Sequence, residues 1–492
     1  MSAQNAAAAA APPIRLHTKV LYGVGAVAFG VKDNGFSYFL LLYYNQIVGL
    51  PASWVAAALA IALVADAFLD LSIGQISDNW RSRIGRRHPF MYFSAIPVAL
   101  SYLLLWNPPH VSKPLTFAYL LTTTIVVRTF LALFEIPSNA LVPELTSDYA
   151  ERTSFFSYRF FFGWTGGLAM TLIALRAILR PDATHPVGQL NPAGYSLYGV
   201  VAGAVMLASI LAASIGTHDR IPFLKSPPRR ARIGLKATLG EMKASFSNRS
   251  FIVMILAALA GAMGTGLSAG LQVYLNTFFW ALSADQLSLL LIGNFAGVAI
   301  GVFGAPYLTR VLGKRDTAVW LSFLAVVVSF TPPVLRLLNV FPPNGSAPLV
   351  PLLLVFQAGS IALGVAANIA MTAMLADVVE DSELATGRRS EGLFMAANSF
   401  ISKCVTGVGI FAAGLILTVV QFPQHAHPGH IAPTILRNLV LVYLPIQGAL
   451  YGIAIVFLTQ YRITKASHEA SLGLLAIREA ELEAGQPLVE LE

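Results

Sequence analysis

Two carboxylates, Asp66 and Asp70, sit in an apolar run that begins at Ala52. They are four residues apart, so a helix presents both on one face. In hydrocarbon each ionised carboxylate costs on the order of 2.5–3.5 kcal/mol by insertion scales. Such a pair is kept only where it faces a counter-charge, a cavity or a cation. No basic residue adjoins it in sequence, so the pattern points to a functional role, with an ion or a solute meeting the pair inside the membrane. The competing reading is permanent neutralisation by basic residues of other helices. The run closes on Asp78 and four arginines, Arg81, Arg83, Arg86 and Arg87.

Other apolar runs carry their own polar groups. Lys32 and Asp33 are adjacent, and neighbours on a helix do not share a face, so at least one is expected to point inward. Arg128 and Glu135 are seven residues apart and share a side, with Asn139 one turn beyond Glu135. Pro137 and Pro143 are expected to bend or end that helix, which a membrane tolerates beside a cavity or partner. Arg159 lies among aromatics and suits bidentate bonding to hydroxyls or carboxylates. Trp164 is either an interface anchor or a stacking platform for a sugar ring. Gly163, Gly166 and Gly167 permit close helix approach. Gln272, Tyr274 and Asn276 follow at spacings of two, so only some can face inward, while Asn294, Gln357 and Asn368 read as interhelical glue. Lys403 stands deep in a neutral run, where a lysine needs a carboxylate or loses its proton; Asp33, Asp66, Asp70 and Glu135 are the candidates, and the alternative is a lysine reaching the cytoplasmic interface.

The elements that position these groups follow from composition. The chain has 492 residues, 56% hydrophobic and 11% charged, against about 25% charged in soluble domains. It is an integral membrane protein with all-α structure. Twelve apolar runs reach bilayer length: 20–48, 52–77, 88–106, 115–141, 155–180, 194–215, 250–282, 286–310, 317–340, 349–375, 392–421 and 434–460. Their length and continuity select helices over a barrel. The net charge of +8 comes from alternate loops, as the positive-inside rule requires, so no nucleic acid is implied and both termini are expected to be cytoplasmic. A basic segment over 216–249 separates a six-helix bundle at 20–215 from another at 250–460, flanked by tails at 1–19 and 461–492. The tail at the start lacks a basic, cleavable signal. The single cysteine, Cys404, excludes a disulfide within the chain. No nucleophile–base set or metal-spaced cluster is visible, and histidines such as His425, His427 and His430 fall in loops, so no enzyme, cofactor or resident metal is expected.

With these residues in view, the ordered motifs YGVGA, YYNQIVGL, ADAFLD with RSRIGRR, EIPSNALVPEL, ERTSFFSYRFF and ADVVEDSELATGRRSEG before Lys403 resemble the major facilitator superfamily. More narrowly the chain is similar to the glycoside–pentoside–hexuronide:cation symporters, the melibiose permease family. The resemblance covers nearly the whole chain. It implies a 6+6 architecture, alternating access and coupling to H+ or Na+. By position it implies cation binding at Asp66 and Asp70, coupling at Lys403, and a sugar site near Glu135 and Arg159. Asp33, Asn139, Trp164 and Asn398 complete the expected solute-binding set. Asp78 with Arg81, Arg83, Arg86 and Arg87 is expected to form a cytoplasmic gate. Three departures stand out. The helix-one sugar-binding acid falls on Gly30, with Asp33 one turn later. Leu69 and Leu71 flank Asp70 where the family has a polar residue and proline, which favours a proton over sodium. Asn139 replaces a sugar-stacking tryptophan.

The expected function is cation-coupled symport of a sugar or glycoside across the bacterial inner membrane by a monomer. The alternatives are symport of an amphipathic lipid such as a lysophospholipid, or an uncoupled transporter-like sensor or scramblase.

Overall fold

The computed structural model describes residues 14–146, 148–182, 185, 187–224, 249–386 and 391–461, and for 149–150, 153, 249–251, 376–386 and 391–399 it describes the backbone only. Residue contacts divide the chain into two units, Met1–Arg229 and Arg230–Glu492. Regular structure among the described residues is helical throughout.

The first unit contains α1 (Leu16–Val24), α2 (Val27–Gly35), α3 (Ala52–Asn79), α4 (His88–Leu105), α5 (Lys113–Leu145), α6 (Tyr149–Ile173) and α7 (Pro192–Gly216). The second contains α8 (Arg249–Tyr274), α9 (Ala284–Leu312), α10 (Lys314–Leu337), α11 (Leu349–Thr386), α12 (Glu391–Val419) and α13 (Pro433–Thr459). Eleven described helices are long and apolar enough to cross a membrane. They fall on eleven of the twelve predicted runs, α3 to α13 in order, because run length is itself the determinant.

Their ends obey local rules. Pro89, Pro114, Pro192 and Pro433 stand in first turns, where the missing N–H costs nothing. Ser283 and Gln286 form a reciprocal capping box at the start of α9. Gly313 has φ +82°, a conformation glycine adopts freely, and it turns the chain directly from α9 into α10.

The first predicted run departs from a single helix. It breaks at Gly25–Ala26 between α1 and α2, then continues through π turns at Phe36–Leu40 and Tyr43–Ile47. Packing explains this. Gly30 lies so close to α6 that a Cβ built on it would fall 1.9 Å from the Gly163 carbonyl oxygen. A Cβ on Gly167 would fall 2.5 Å from the Gly30 carbonyl oxygen. The two backbones therefore touch, as small residues allow. Beyond Gly35, a buried aromatic cluster holds the π turns. Tyr43 and Tyr44 donate to the carbonyls of Trp106 at 3.0 Å and Leu105 at 2.8 Å. Trp106 stacks on Tyr195 at 5.6 Å, and the Tyr102 and Tyr198 hydroxyls meet at 3.1 Å. Each of these buried hydroxyls thus has a partner, which a membrane interior demands.

A Gly30→Ala substitution should therefore destabilise the first unit, because neither backbone can yield as a side-chain tip would. Overpacking costs about 1–3 kcal/mol and more where backbone must move. A melting temperature within a degree of wild type in detergent would show that the α2–α6 contact is looser than described.

Candidate functional site

Asp66 lies in the middle of α3 and is 6% exposed. Its Oδ2 accepts a hydrogen bond from Arg128 Nη1 of α5 at 3.2 Å. The partner that the sequence did not reveal is thus 62 residues away. Arg128 carries its guanidinium 5.2 Å from the centre of the Phe36 ring, and its Nε is buried without a hydrogen bond. Lys32 Nζ lies 6.0 Å from that ring and 4.5 Å from the Phe29 ring. Two cations, one buried and one nearly so, therefore flank one aromatic side chain, an arrangement cation–π attraction favours. Asp70, one turn beyond Asp66, is half-buried. The two acids share a helix face as the spacing requires.

Lys32 is buried and Asp33 is exposed, yet Nζ reaches Asp33 Oδ1 at 3.4 Å. Lys32 thus points inward and Asp33 outward, as expected of neighbours on a helix, and the two charges still meet. The long lysine stem bends back to its neighbour, which a Cβ-direction argument does not capture.

Glu135 and Arg159 come together. Arg159 Nη2 donates to Glu135 Oε1 at 3.1 Å, and Nη1 contacts Ser138 Oγ at 3.4 Å. The Tyr22 hydroxyl donates to the Ser138 carbonyl at 3.1 Å, which brings α1, α5 and α6 to one point. Arg159 is buried, while Glu135 keeps part of its carboxylate accessible. Asn139 is half-buried one turn along α5. That helix runs through Pro137 and Pro143 to Leu145, so the prolines do not end it. Trp164 is 62% exposed on α6 beside the exposed Phe160 and Phe161.

At the ends of α3 and α5, Glu144 joins the arginines. Arg86 reaches its Oε1 through Nη2 at 2.7 Å, and Arg87 through Nε at 2.8 Å. Arg87 also bonds Asp78 Oδ1 at 2.5 Å and Ser77 Oγ at 2.7 Å. Asp78, Arg86 and Arg87 thus form one network, and Arg81 and Arg83 are exposed outside it. Glu144 was legible only as part of the motif EIPSNALVPEL, because its spacing from the arginines carries no signal. These contacts lie within the first unit and tie α3, α4 and α5 together.

In the second unit, Lys403 is half-buried on α12. The expected contribution of Asn398 lies outside the residues whose side chains are described. A cavity of about 730 Å3 is lined by Gln272, Asn276, Gln357 and Asn368 among others. Tyr274 instead packs against Phe278 and Phe422, so the expected division of that row holds. Gln357 and Asn368 face open volume rather than serving only as glue. The signal for this site was the four-residue spacing of Ser268, Gln272 and Asn276, which places all three on one face.

Apolar helices of bilayer length in two units, with ion pairs buried inside the first, and a matching family model define a multi-pass membrane transporter of the major facilitator kind. The chain belongs to the MFS/sugar transport protein family, whose model matches residues 21–465. It is 24% identical over 447 residues to the isoprimeverose transporter of Lactiplantibacillus pentosus, covering 90% of this chain and 88% of that protein. It is 26% identical over 423 residues to the glucuronide carrier protein homolog of Escherichia coli, covering 83% and 86%. Among solved structures, the nucleoside transporter NupG aligns with a TM-score of 0.57 at 14% identity, covering 91% of this chain and 99% of that one. That last likeness concerns the fold alone.

Proposed function

We propose that this protein is a cation-coupled symporter of a sugar or glycoside, working by alternating access with its termini in the cytoplasm. The observation that carries the reading is the pair of carboxylates, Asp66 buried and Asp70 half-buried, one turn apart within an apolar helix of bilayer length. A guanidinium already occupies an oxygen of Asp66. Sodium needs several oxygen ligands, and Leu69 and Leu71 supply none from their side chains. A proton needs only one carboxylate. H+ is accordingly assigned as the coupling ion and Asp66 and Asp70 as its site, with Arg128 held against Asp66.

The solute site is assigned to Glu135 and Arg159, with Asn139, Asp33 and Trp164 contributing. The pair offers fixed donors and a partly accessible carboxylate to sugar hydroxyls. Lys403 is assigned a coupling role. Asp78, Arg86 and Arg87 with Glu144 form the gate-side brace, which holds helix ends and does not touch solute. Relatives named as an isoprimeverose transporter and a glucuronide carrier support the sugar class. Coupling arises when cation and solute together favour the occluded state, a difference worth about 1–3 kcal/mol.

The test is solute-induced ion movement in proteoliposomes, with glycosides, hexuronates and lysolipids added in turn. A glycoside that alkalinises the outer medium without sodium confirms proton symport. Flux that requires sodium refutes the proton assignment, and ion-independent flux refutes coupling.

A further inference from the structure

Arg128 is bonded unlike Arg87 and Arg159 of the same unit. Arg87 uses Nε, Nη1 and Nη2 on Glu144, Ser77 and Asp78. Arg159 uses both terminal nitrogens, on Ser138 and Glu135. Arg128 makes one hydrogen bond among the described residues, from Nη1 to Asp66 Oδ2 at 3.2 Å. Its Nε is buried and meets no acceptor, and its guanidinium lies 5.2 Å from the centre of the Phe36 ring. An arginine that braces helices spreads its planar fork over two or more acceptors. Arg128 leaves most of that fork unused and sets a positive charge between a carboxylate and an aromatic face. Both groups also attract a metal cation.

The charge sits where a metal ion would be held. Asp66 and Asp70 stand one turn apart on α3 and together carry four carboxylate oxygens. Asp66 is 6% exposed, and a carboxylate so buried needs a positive partner. That partner comes from α5, because Lys32 on the far side of Phe36 is engaged by Asp33 at 3.4 Å.

We propose that Arg128 selects the coupling ion. Its guanidinium is a built-in cation at Asp66 that keeps sodium and lithium out of the two-carboxylate site and leaves a proton free to bind. The proposal rests on the proton-symport reading and locates its cause. Two features could exclude sodium, the guanidinium and the lack of side-chain oxygens at Leu69 and Leu71. Water can supply an oxygen that leucine does not. Nothing offsets a second positive charge brought beside the first in a protein interior. A proton joins a carboxylate oxygen directly and needs neither a vacant volume nor a shell of ligands.

The experiment is thermal unfolding of the purified full-length protein in detergent, at fixed pH and ionic strength, in N-methylglucamine, potassium, sodium and lithium chlorides. Wild type is compared with Arg128→Ala, Arg128→Ser, Arg128→Lys, Leu69→Asn and the double variant Asp66→Asn/Arg128→Ala. Wild type should melt at one temperature in all four salts. Arg128→Ala and Arg128→Ser should melt about 3–6 °C higher in about 100 mM sodium or lithium than in N-methylglucamine, the shift for a site of about 10 mM affinity. Arg128→Lys keeps a cation at Asp66 and should show no shift. The double variant lacks the Asp66 carboxylate and should show none either. An arginine that only braced the helices would, on removal, lower melting equally in every salt. If neither small variant survives detergent, the same comparison is read in membrane vesicles, from the protein that stays soluble after heating. Absence of a sodium or lithium shift in both small variants overturns the proposal. So does a shift in Leu69→Asn with Arg128 in place, or one that persists in the double variant. A sodium shift already present in wild type refutes the proton assignment itself, whereas silence in wild type and in both small variants refutes the role of Arg128 alone.

Discussion

Asp70→Asn will abolish uphill accumulation while leaving solute exchange across the membrane intact. The membrane potential is worth about 2.3 kcal/mol per elementary charge per 100 mV. A tenfold concentration ratio costs about 1.4 kcal/mol. One proton carried with a neutral solute therefore sustains accumulation of about 50-fold at 100 mV. Asparagine has nearly the shape of aspartate but exchanges no proton at this position. Accumulation should fall to simple equilibration, a ratio of about one. Counterflow of labelled against unlabelled solute needs no net cation movement and should persist within a few-fold. The comparison separates coupling from binding. Retained accumulation in Asp70→Asn moves the coupling acid elsewhere. Joint loss of exchange places Asp70 in the transport path itself.

Arg128→Ala has the largest expected effect on stability. It removes a guanidinium from a carboxylate that is almost wholly buried inside the first unit. Breaking one side of a buried pair costs about 3–5 kcal/mol, because the remaining charge has been desolvated without its partner. At about 2–4 °C per kcal/mol for domains of 150–250 residues, melting should fall by roughly 6–20 °C. The double variant Asp66→Asn/Arg128→Gln leaves no charge at either position and should recover most of that loss. Thermal unfolding of the purified protein, followed by scattering or tryptophan fluorescence, reads both. A single variant as stable as wild type would mean that Asp66 is held chiefly by other groups. A double variant no better than the single would point to Arg128 acting through its stacking on Phe36 rather than through Asp66.

The amino-acid sequence by itself determined that this chain crosses a membrane, where its helices lie and which helices carry charge. Hydropathy is local and additive, so a run such as 349–375 is read without reference to anything else, and α11 begins at the predicted residue. The family was legible for a related reason, since its motifs are short and keep their order. Tertiary structure alone decided which charges meet. Arg128 takes Asp66 across 62 residues, and Arg86 finds Glu144 across 58. Partner choice depends on how each helix is rotated and how closely helices cross, and that is set by contacts such as Gly30 on Gly163. Neither property is written in the spacing of residues along one element. The same cause broke the first predicted span into α1, α2 and two π turns, and it left Gln272, Gln357 and Gln447 facing one cavity. Local chemistry supplied the inventory of polar groups, and helix packing paired them.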